Sequence, residues 1–373
     1  MTTSELSTAP LGGAPGRPRV AQMVLNVSVA DAITHHVLMI DDALRALGLS
    51  AGIFCENAHP DLAHRASSFT TFDDARVDAV LFHFSIGSRI AATFGSARCK
   101  KAIVYHNVTP PEFFDGINSR VAAALRAGRD ELRALVGRVD LALGVSEFNR
   151  AELEAFGFPD TGVLPIAVPS DLAGVEPDPA WLARASAAGP VLLHVGRIAP
   201  NKRFDDLIRI LAHVQAREPR AELWLVGTDR DTETYSMALV DMAQDLGIPG
   251  VLLLGQVPAP ALAACYRAAA AYLCASAHEG FCVPLVEAMH FGLPIVAFDA
   301  GGIGETLGGA GVLLGERRCD LAAAAVTLLH RDCEVRAAVV ERQRERVGSF
   351  STDAFRQRLA AHLEAVLGDP GLG

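Results

Sequence analysis

The sequence predicts an α/β protein made of two doubly wound, Rossmann-like domains facing a central cleft. Three observations carry that expectation. Short apolar runs alternate with amphipathic helical stretches along the whole chain. The alternation runs once to about residue 165 and restarts at 191, after an irregular Pro-rich stretch over 164–181. The chain has 373 residues, half of them apolar, which exceeds one ordinary core and suits two of roughly 150–200 residues each.

In the first half the strands are expected at 20–25, 51–55, 79–83, 102–106, 141–145 and 162–165. A helix over 35–47 joins the first two; Thr34 offers an N-cap oxygen and Gly48 can take the left-handed position after the end. In the second half strands are expected at 191–195, 222–226, 251–254, 271–274, 295–298 and 312–314. Helices at about 204–215, 234–246, 259–270 and 321–330 separate most of them. These series place a leader at 1–18, an N-terminal domain at 19–167 and a C-terminal domain at 168–349. The closing segment 350–373, with a helix over about 352–367, is expected to pack back on the first domain. Sheets of this kind take ligand at the carboxyl ends of their strands.

Composition narrows the function. Lys plus Arg total 33 against 43 for Asp plus Glu, a net charge of −10, which argues against a nucleic-acid partner. No apolar run approaches the ~18 residues of a membrane-spanning helix, and residues 1–19 lack the apolar core of a signal peptide. The expected location is cytoplasmic, with at most peripheral membrane contact. The seven cysteines (55, 99, 265, 274, 282, 319 and 333) form no CxxC pair and read as buried, reduced thiols. A catalytic thiol at Cys282 is set aside. No GxGxxG follows a strand and no GxxxxGK[ST] occurs, so the dinucleotide and P-loop readings lose their support.

The strongest chemical signal is the run HEGFCVPLVEAM (278–289). Pro284 suits the first turn of a helix that Gly292 ends and Pro294 prevents from continuing. Glu287 is thereby expected in the first turn and Glu279 in the loop ahead of it. Free amides at a helix start favour a phosphate, and a neighbouring carboxylate can accept the hydroxyls of a ribose. The second signal is Val195-Gly196-Arg197 at a strand end, with Lys202 five residues on. A planar fork and a compact charge together suit a diphosphate. Either signal alone is also what an ordinary polar loop would show.

GR followed by NKR, then EGFCVPLVEAM, then GLPIVAFDAGGIGE, in this order, resembles the retaining glycosyltransferases of family 4, over residues 191–314. HFSIGS (83–88), YHNVTPP (105–111) and GVSEFNR (144–150) are weaker similarities. The resemblance implies the GT-B fold, an acceptor-side first domain and a nucleotide-sugar-binding second domain. It puts Arg197 and Lys202 on the donor diphosphate, Glu287 on the ribose and Glu279 on sugar hydroxyls. It brings Gly280 and the amides of Phe281, Cys282 and Val283 near the sugar and phosphate. His106 is implied against the sugar, and Gln256 and Val257 beside the base. No cofactor or metal is implied beyond the donor itself, a UDP-sugar or another nucleoside-diphosphate sugar. The acceptor is a hydroxyl of a glycan, a lipid-linked intermediate or a natural product.

Two departures from the pattern stand out. Ser28-Val29-Ala30-Asp31 lacks the usual glycine, leaving Asp31 and His35 open to an acceptor role, and Arg203 replaces a common glycine after Lys202. Asp229-Arg230-Asp231 imitates a metal-binding DxD but reads as a solvated loop. His35, His36 and His83 lack metal-ligand spacing. The Arg-bearing helix around 120–138 reads as a solvated face rather than a lipid contact. Two rivals accompany the transferase reading: a GT-B sugar-nucleotide epimerase, and a catalytically silent nucleotide-sugar-binding subunit.

Overall fold

The first strand, β1 (Arg19–Val27), is apolar enough to be buried along most of its length. The computed structural model that shows it describes residues 17–29 and 31–368; most of the expected leader (1–16) and Ala30 lie outside these. α1 (Ala32–Ala46) starts earlier than the sequence suggests. Asp31, not Thr34, is the N-cap: its Oδ2 accepts from the Thr34 N–H at 2.8 Å and from the Thr34 hydroxyl at 2.9 Å. At the other end Gly48 takes φ +76°, as expected.

β2 (Ser50–Ala58), β3 (Ala66–Ser68), β4 (Ala79–Phe84), α2 (Ile90–Ser96), β5 (Lys100–Tyr105), α3 (Ser119–Ala134), β6 (Leu141–Gly144), α4 (Glu147–Phe156) and β7 (Thr161–Val163) follow. The sheet is parallel, in the order β3-β2-β1-β4-β5-β6-β7. β3 was not legible: its three residues, Ala-Ser-Ser, carry no apolar run. The order reverses between β1 and β4, so the loops leaving these two strands diverge there.

The second sheet is built from β8 (Val191–Val195), β9 (Glu222–Val226), β10 (Val251–Gly255), β11 (Ala271–Cys274), β12 (Ile295–Phe298) and β13 (Val312–Leu314), close to the expected strands. The helices of this half are α5 (Asp171–Gly174), α6 (Pro179–Ala187), α7 (Phe204–Gln215), α8 (Glu233–Asp245), α9 (Ala259–Ala268), α10 (Val283–His290), α11 (Ile303–Leu307), α12 (Cys319–Arg331) and α13 (Cys333–Val347). Strand order is β10-β9-β8-β11-β12-β13, again parallel, with the reversal between β8 and β11. Alternate residues serve opposite faces, as a two-residue period requires. Leu192, Leu223, Leu225 and Leu273 join a core with Phe204, Leu211 and Leu329. Leu193, Trp224 and Tyr272 point the other way, onto Tyr266, Leu285 and Met289.

The closing helix α14 (Thr352–Leu367) packs on α1 and β5. The chain divides into two units. Among the described residues, one comprises those through Pro110, Ala123–Ala167 and those from Thr352 on; the other comprises Pro111–Ala122 and Val168–Ser351. The segment 111–122 thus leaves the continuous range 19–167 and groups with the second half. All seven cysteines are free; Cys55, Cys265, Cys274 and Cys282 are buried, whereas Cys333 is exposed, against the expectation. Among the described residues no helix is long and apolar enough to cross a membrane.

Candidate active site

The reversal between β8 and β11 places two loops of the second unit side by side. From β8 the chain turns at Gly196 (φ +151°), passes Arg197 and forms a short 3-10 turn, Pro200–Lys202, before α7. From β11 it runs through Ser276 to the Glu279 loop and α10. Asn201 ties the loops together: its carbonyl accepts from the Ala277 N–H at 2.7 Å, and its Nδ2 donates to the His278 carbonyl at 3.1 Å. Lys202 Nζ consequently meets Glu279 Oε1 at 2.5 Å, and the Ser276 hydroxyl donates to the same oxygen at 2.8 Å.

This pair is largely out of water, with side-chain exposures of 16% and 12%. Burial opposes both charges, yet each is held. Burial works to raise the Glu279 carboxyl, but Lys202 and the Ser276 hydroxyl pull it below its ordinary value. Burial likewise lowers Lys202, and the Glu279 carboxylate overcomes it, so the ammonium is raised. Buried His194 lies beneath: its Nδ1–H donates to the Leu273 carbonyl at 2.8 Å, leaving Nε2 unpaired. Burial pushes it down to about 4, so the imidazole is neutral. The φ of +151° at Gly196 is one that side-chain-bearing residues rarely adopt, which explains the glycine there; a Cβ would also press on the Lys202 stem, 3.3 Å from its Cε.

The Glu279 loop is latched from the far side. Gly301 (φ +58°) passes so close that a Cβ would lie 2.3 Å from the Glu279 carbonyl oxygen. That carbonyl accepts from the Gly302 N–H at 2.8 Å, and the Thr306 hydroxyl donates to the Phe281 carbonyl at 2.6 Å. Gly280, Phe281 and Cys282 are buried. Cys282 adopts φ +74° and α10 starts behind it with no side-chain cap, so the amides around Val283 open this helix. A side-chain hydrogen bond with Cys274 and burial hold the Cys282 thiol well above its ordinary value, in its protonated and less nucleophilic form.

Glu287 is displaced from its expected place. Because α10 begins at Val283, Glu287 is the fifth helical residue and stands on the second turn. There its Oε2 accepts from the Tyr266 hydroxyl at 2.6 Å. Burial raises its carboxyl above the ordinary value, partly offset by that bond. Tyr266→Phe should therefore destabilise the protein by about 1–2 kcal/mol at neutral pH, since a buried carboxylate loses its donor. Removing the hydroxyl raises the Glu287 value further. A raised acid favours the folded state as it takes up its proton, so the loss should shrink as pH falls through that value. Thermal unfolding of both proteins between neutral pH and pH 4 reads this out.

Arg197 and Lys202 do not share partners. Arg197 is exposed, donates to the Arg230 carbonyl at 3.1 Å and stands 6.0 Å over the Phe114 ring. The Asp229–Asp231 loop is thus a support: Asn118 donates to the Asp231 carbonyl at 2.9 Å, and Thr232 to that of Ile198 at 2.5 Å. Arg203 takes the left-handed conformation, φ +53°, which accounts for the glycine expected there. Its guanidinium pairs with Asp205 at 3.0 Å and Asp206 at 3.3 Å, so its charge is already committed. Gln256 and Val257 directly follow β10, the first exposed and the second partly buried.

In the first unit, Asp31 is the cap of α1 and His35 Nε2 meets the Ala167 carbonyl at 3.0 Å, so both have structural employment. On α3, Arg129 pairs with Glu152 and Arg133 with Asp130, each at 2.8 Å. His106 follows β5; its Nε2 meets His83 Nδ1 at 2.9 Å, and burial lowers it to about 3. The His36 ring completes a cluster, 5.2 Å from His106 and 5.9 Å from His83 between centroids. The linear spacing of 36, 83 and 106 gave no sign of this. Asn201, Ser276, Tyr266, Gly301 and Thr306 were also missed, although Asn201 and Gly301 lie inside the quoted NKR and DAGGIGE segments.

Residues 189–332 match the family Glycosyl transferases group 1. The D-inositol 3-phosphate glycosyltransferase of Gordonia bronchialis is 31% identical over 194 residues, 48% of this chain and 42% of that protein. The GDP-mannose-dependent alpha-(1-6)-phosphatidylinositol monomannoside mannosyltransferase of Mycolicibacterium smegmatis is 32% identical over 197 residues, 49% of this chain and 50% of that protein. The chain spans about half the length of these relatives. Among solved structures, HepE of Anabaena in complex with UDP-glucose superposes with TM-score 0.74 at 19% identity, over 93% of this chain and 99% of that one. Sucrose-phosphate synthase of Thermosynechococcus elongatus gives 0.73 at 18%, over 93% and 98%. Residues 189–332 are thus similar to the glycosyl transferases group 1, in a chain with the GT-B fold.

Proposed function

We propose that the chain is a retaining, metal-independent glycosyltransferase that moves a sugar from a nucleoside diphosphate to an acceptor hydroxyl. The acceptor class is a glycan, a lipid-linked intermediate or a natural product. The observation that carries this reading is the buried Lys202–Glu279 pair, held by Ser276 and Asn201 at the strand reversal of a unit similar to this family. Ionised groups held out of water beside a specific charge partner are the arrangement that functional sites use. Glu279 would accept the sugar hydroxyls, while Lys202 and Arg197 face the leaving diphosphate. Their contact strengthens as the glycosidic bond breaks and negative charge grows on the phosphate oxygen. In front-face transfer that oxygen takes the acceptor's proton while the new bond forms on the same face of the sugar. No protein nucleophile takes part. UDP is the first donor base to test and GDP the second, one relative being GDP-mannose-dependent.

The test is a thermal-shift screen against nucleotides and nucleotide sugars. A donor at 100 times its dissociation constant should add about 2.7 kcal/mol of stability. Glu279→Ala should then damage transfer more than it damages binding of the bare nucleotide. No shift with any UDP, GDP, ADP or TDP species would count against the reading. Conversion of a donor without acceptor, followed by NMR, would favour an epimerase.

A further inference from the structure

We infer that His36, His83 and His106 of the first unit form a binding site for one zinc-class divalent ion. They are the one group among the described residues with metal-ligand geometry: a ring nitrogen from each lies within 4.8 Å of the other two. His36 comes from the buried face of α1, His83 from β4 and His106 from the turn after β5, so three elements converge on one point. The adjacency of β4 and β5 in the sheet sets the last two side by side.

The polar groups are unusually unsettled for so buried a place. His36 is 0% exposed and neither of its ring nitrogens has a hydrogen-bond partner; His106 Nδ1 is likewise without one. Buried imidazoles are ordinarily satisfied. Phe355 of α14 packs edge-on against the His36 ring, 5.4 Å between centroids.

A supporting contact of the kind metal-ligating histidines use is already present. Gln22 is fully buried and its Oε1 lies 2.9 Å from His83 Nε2. If that nitrogen donates, Nδ1 keeps its lone pair and points to the cluster. His83 Nδ1 and His106 Nε2, now 2.9 Å apart, would spread slightly, because tetrahedral zinc at about 2.0–2.1 Å from each nitrogen separates them by roughly 3.4 Å. His36, whose ring nitrogen lies within 4.8 Å of the other two ligand atoms, would have to close in as well. His106, the partly exposed member, gives the ion an entry side. Three imidazoles suit zinc and its neighbours cobalt, nickel and copper rather than magnesium or calcium. The ion would staple α1 to β4 and β5.

The experiment uses the full, untagged chain stripped with a chelator and titrated with Co(II), then Zn(II). The expected result is one equivalent of tetrahedral cobalt absorption, displaced by zinc, with zinc raising the melting temperature. His36→Leu should fold at least as well as the parent without metal, because it removes an unpaired buried ring, and should lose the absorption. Gln22→Met should weaken cobalt binding about 10–100-fold. Hyperfine-shifted signals from three histidine rings in the cobalt-loaded parent give a readout that needs no variant. Absent tetrahedral bands, bands undiminished in His36→Leu, or shifted signals from other histidines would overturn the site. None of these readouts involves sugar transfer.

Discussion

Lys202→Ala is expected to lower kcat/KM for sugar transfer by about 10- to 100-fold and to weaken the fold as well. The kinetic part follows from removing the charge-assisted contact to the leaving diphosphate proposed for Lys202, about 1.5–3 kcal/mol, at about 1.4 kcal/mol per decade of rate. The stability part follows from what is left behind. Glu279, with 12% side-chain exposure, keeps its carboxylate but loses its cation at 2.5 Å. Breaking such a pair costs about 3–5 kcal/mol, and the remaining Ser276 hydroxyl puts the loss at the lower end. The sign with pH is specific. In the parent the Glu279 carboxyl is depressed, so its stabilisation is present above its unfolded value and lost as pH falls through the folded one. Without Lys202 burial dominates and the folded value rises, so the deficit should narrow as the solution is acidified toward pH 4. Arg197→Ala is the complement. Its side chain is exposed and makes one hydrogen bond to a carbonyl, so turnover should fall at least tenfold with little change in melting temperature. Near-normal kinetics in both variants would sink the diphosphate assignment.

The contrast between these residues mirrors what the sequence could and could not say. The six strands of the second sheet were legible because buried parallel strands read as short apolar runs. Which residues stand at their carboxyl ends followed at once, and so did Arg197, Lys202 and Glu279 as candidates. Their partners did not. Lys202 and Glu279 are 77 residues apart, and only the β8–β11 adjacency makes them neighbours. Glu287 was misplaced by a turn because the boundary of α10 depends on the left-handed backbone of Cys282, which no side chain announces. The start of α1 failed for a related reason: Asp31 and Thr34 can each cap a helix, and both join one hydrogen-bonded corner. The three histidines share neither a segment nor a period, and sheet order alone assembles them.

Gly301→Ala is expected to cost more activity than any substitution outside the charged pair, by 100-fold or more, although residue 301 offers no side chain to a ligand. The new Cβ would lie 2.3 Å from the Glu279 carbonyl oxygen and 3.1 Å from its nitrogen, and both obstacles are backbone. At φ +58° an alanine also pays about 1–2 kcal/mol for the left-handed conformation. The loop must withdraw, breaking the bond from the Gly302 N–H to the Glu279 carbonyl and carrying the carboxylate away from Lys202 and Ser276. A displacement of an ångström at a group that positions substrate costs roughly 10²-fold. Gly309→Ala separates strain from positioning. Gly309 has φ +83°, yet a Cβ there meets nothing within 4 Å. It should lose about 1–2 kcal/mol of stability from the backbone term and keep its transfer rate. Measuring melting temperature and kcat/KM for both variants decides the matter. If Gly301→Ala loses stability but transfers sugar as well as Gly309→Ala does, the latch does not position Glu279, and the carboxylate's contact with the sugar must be abandoned with it.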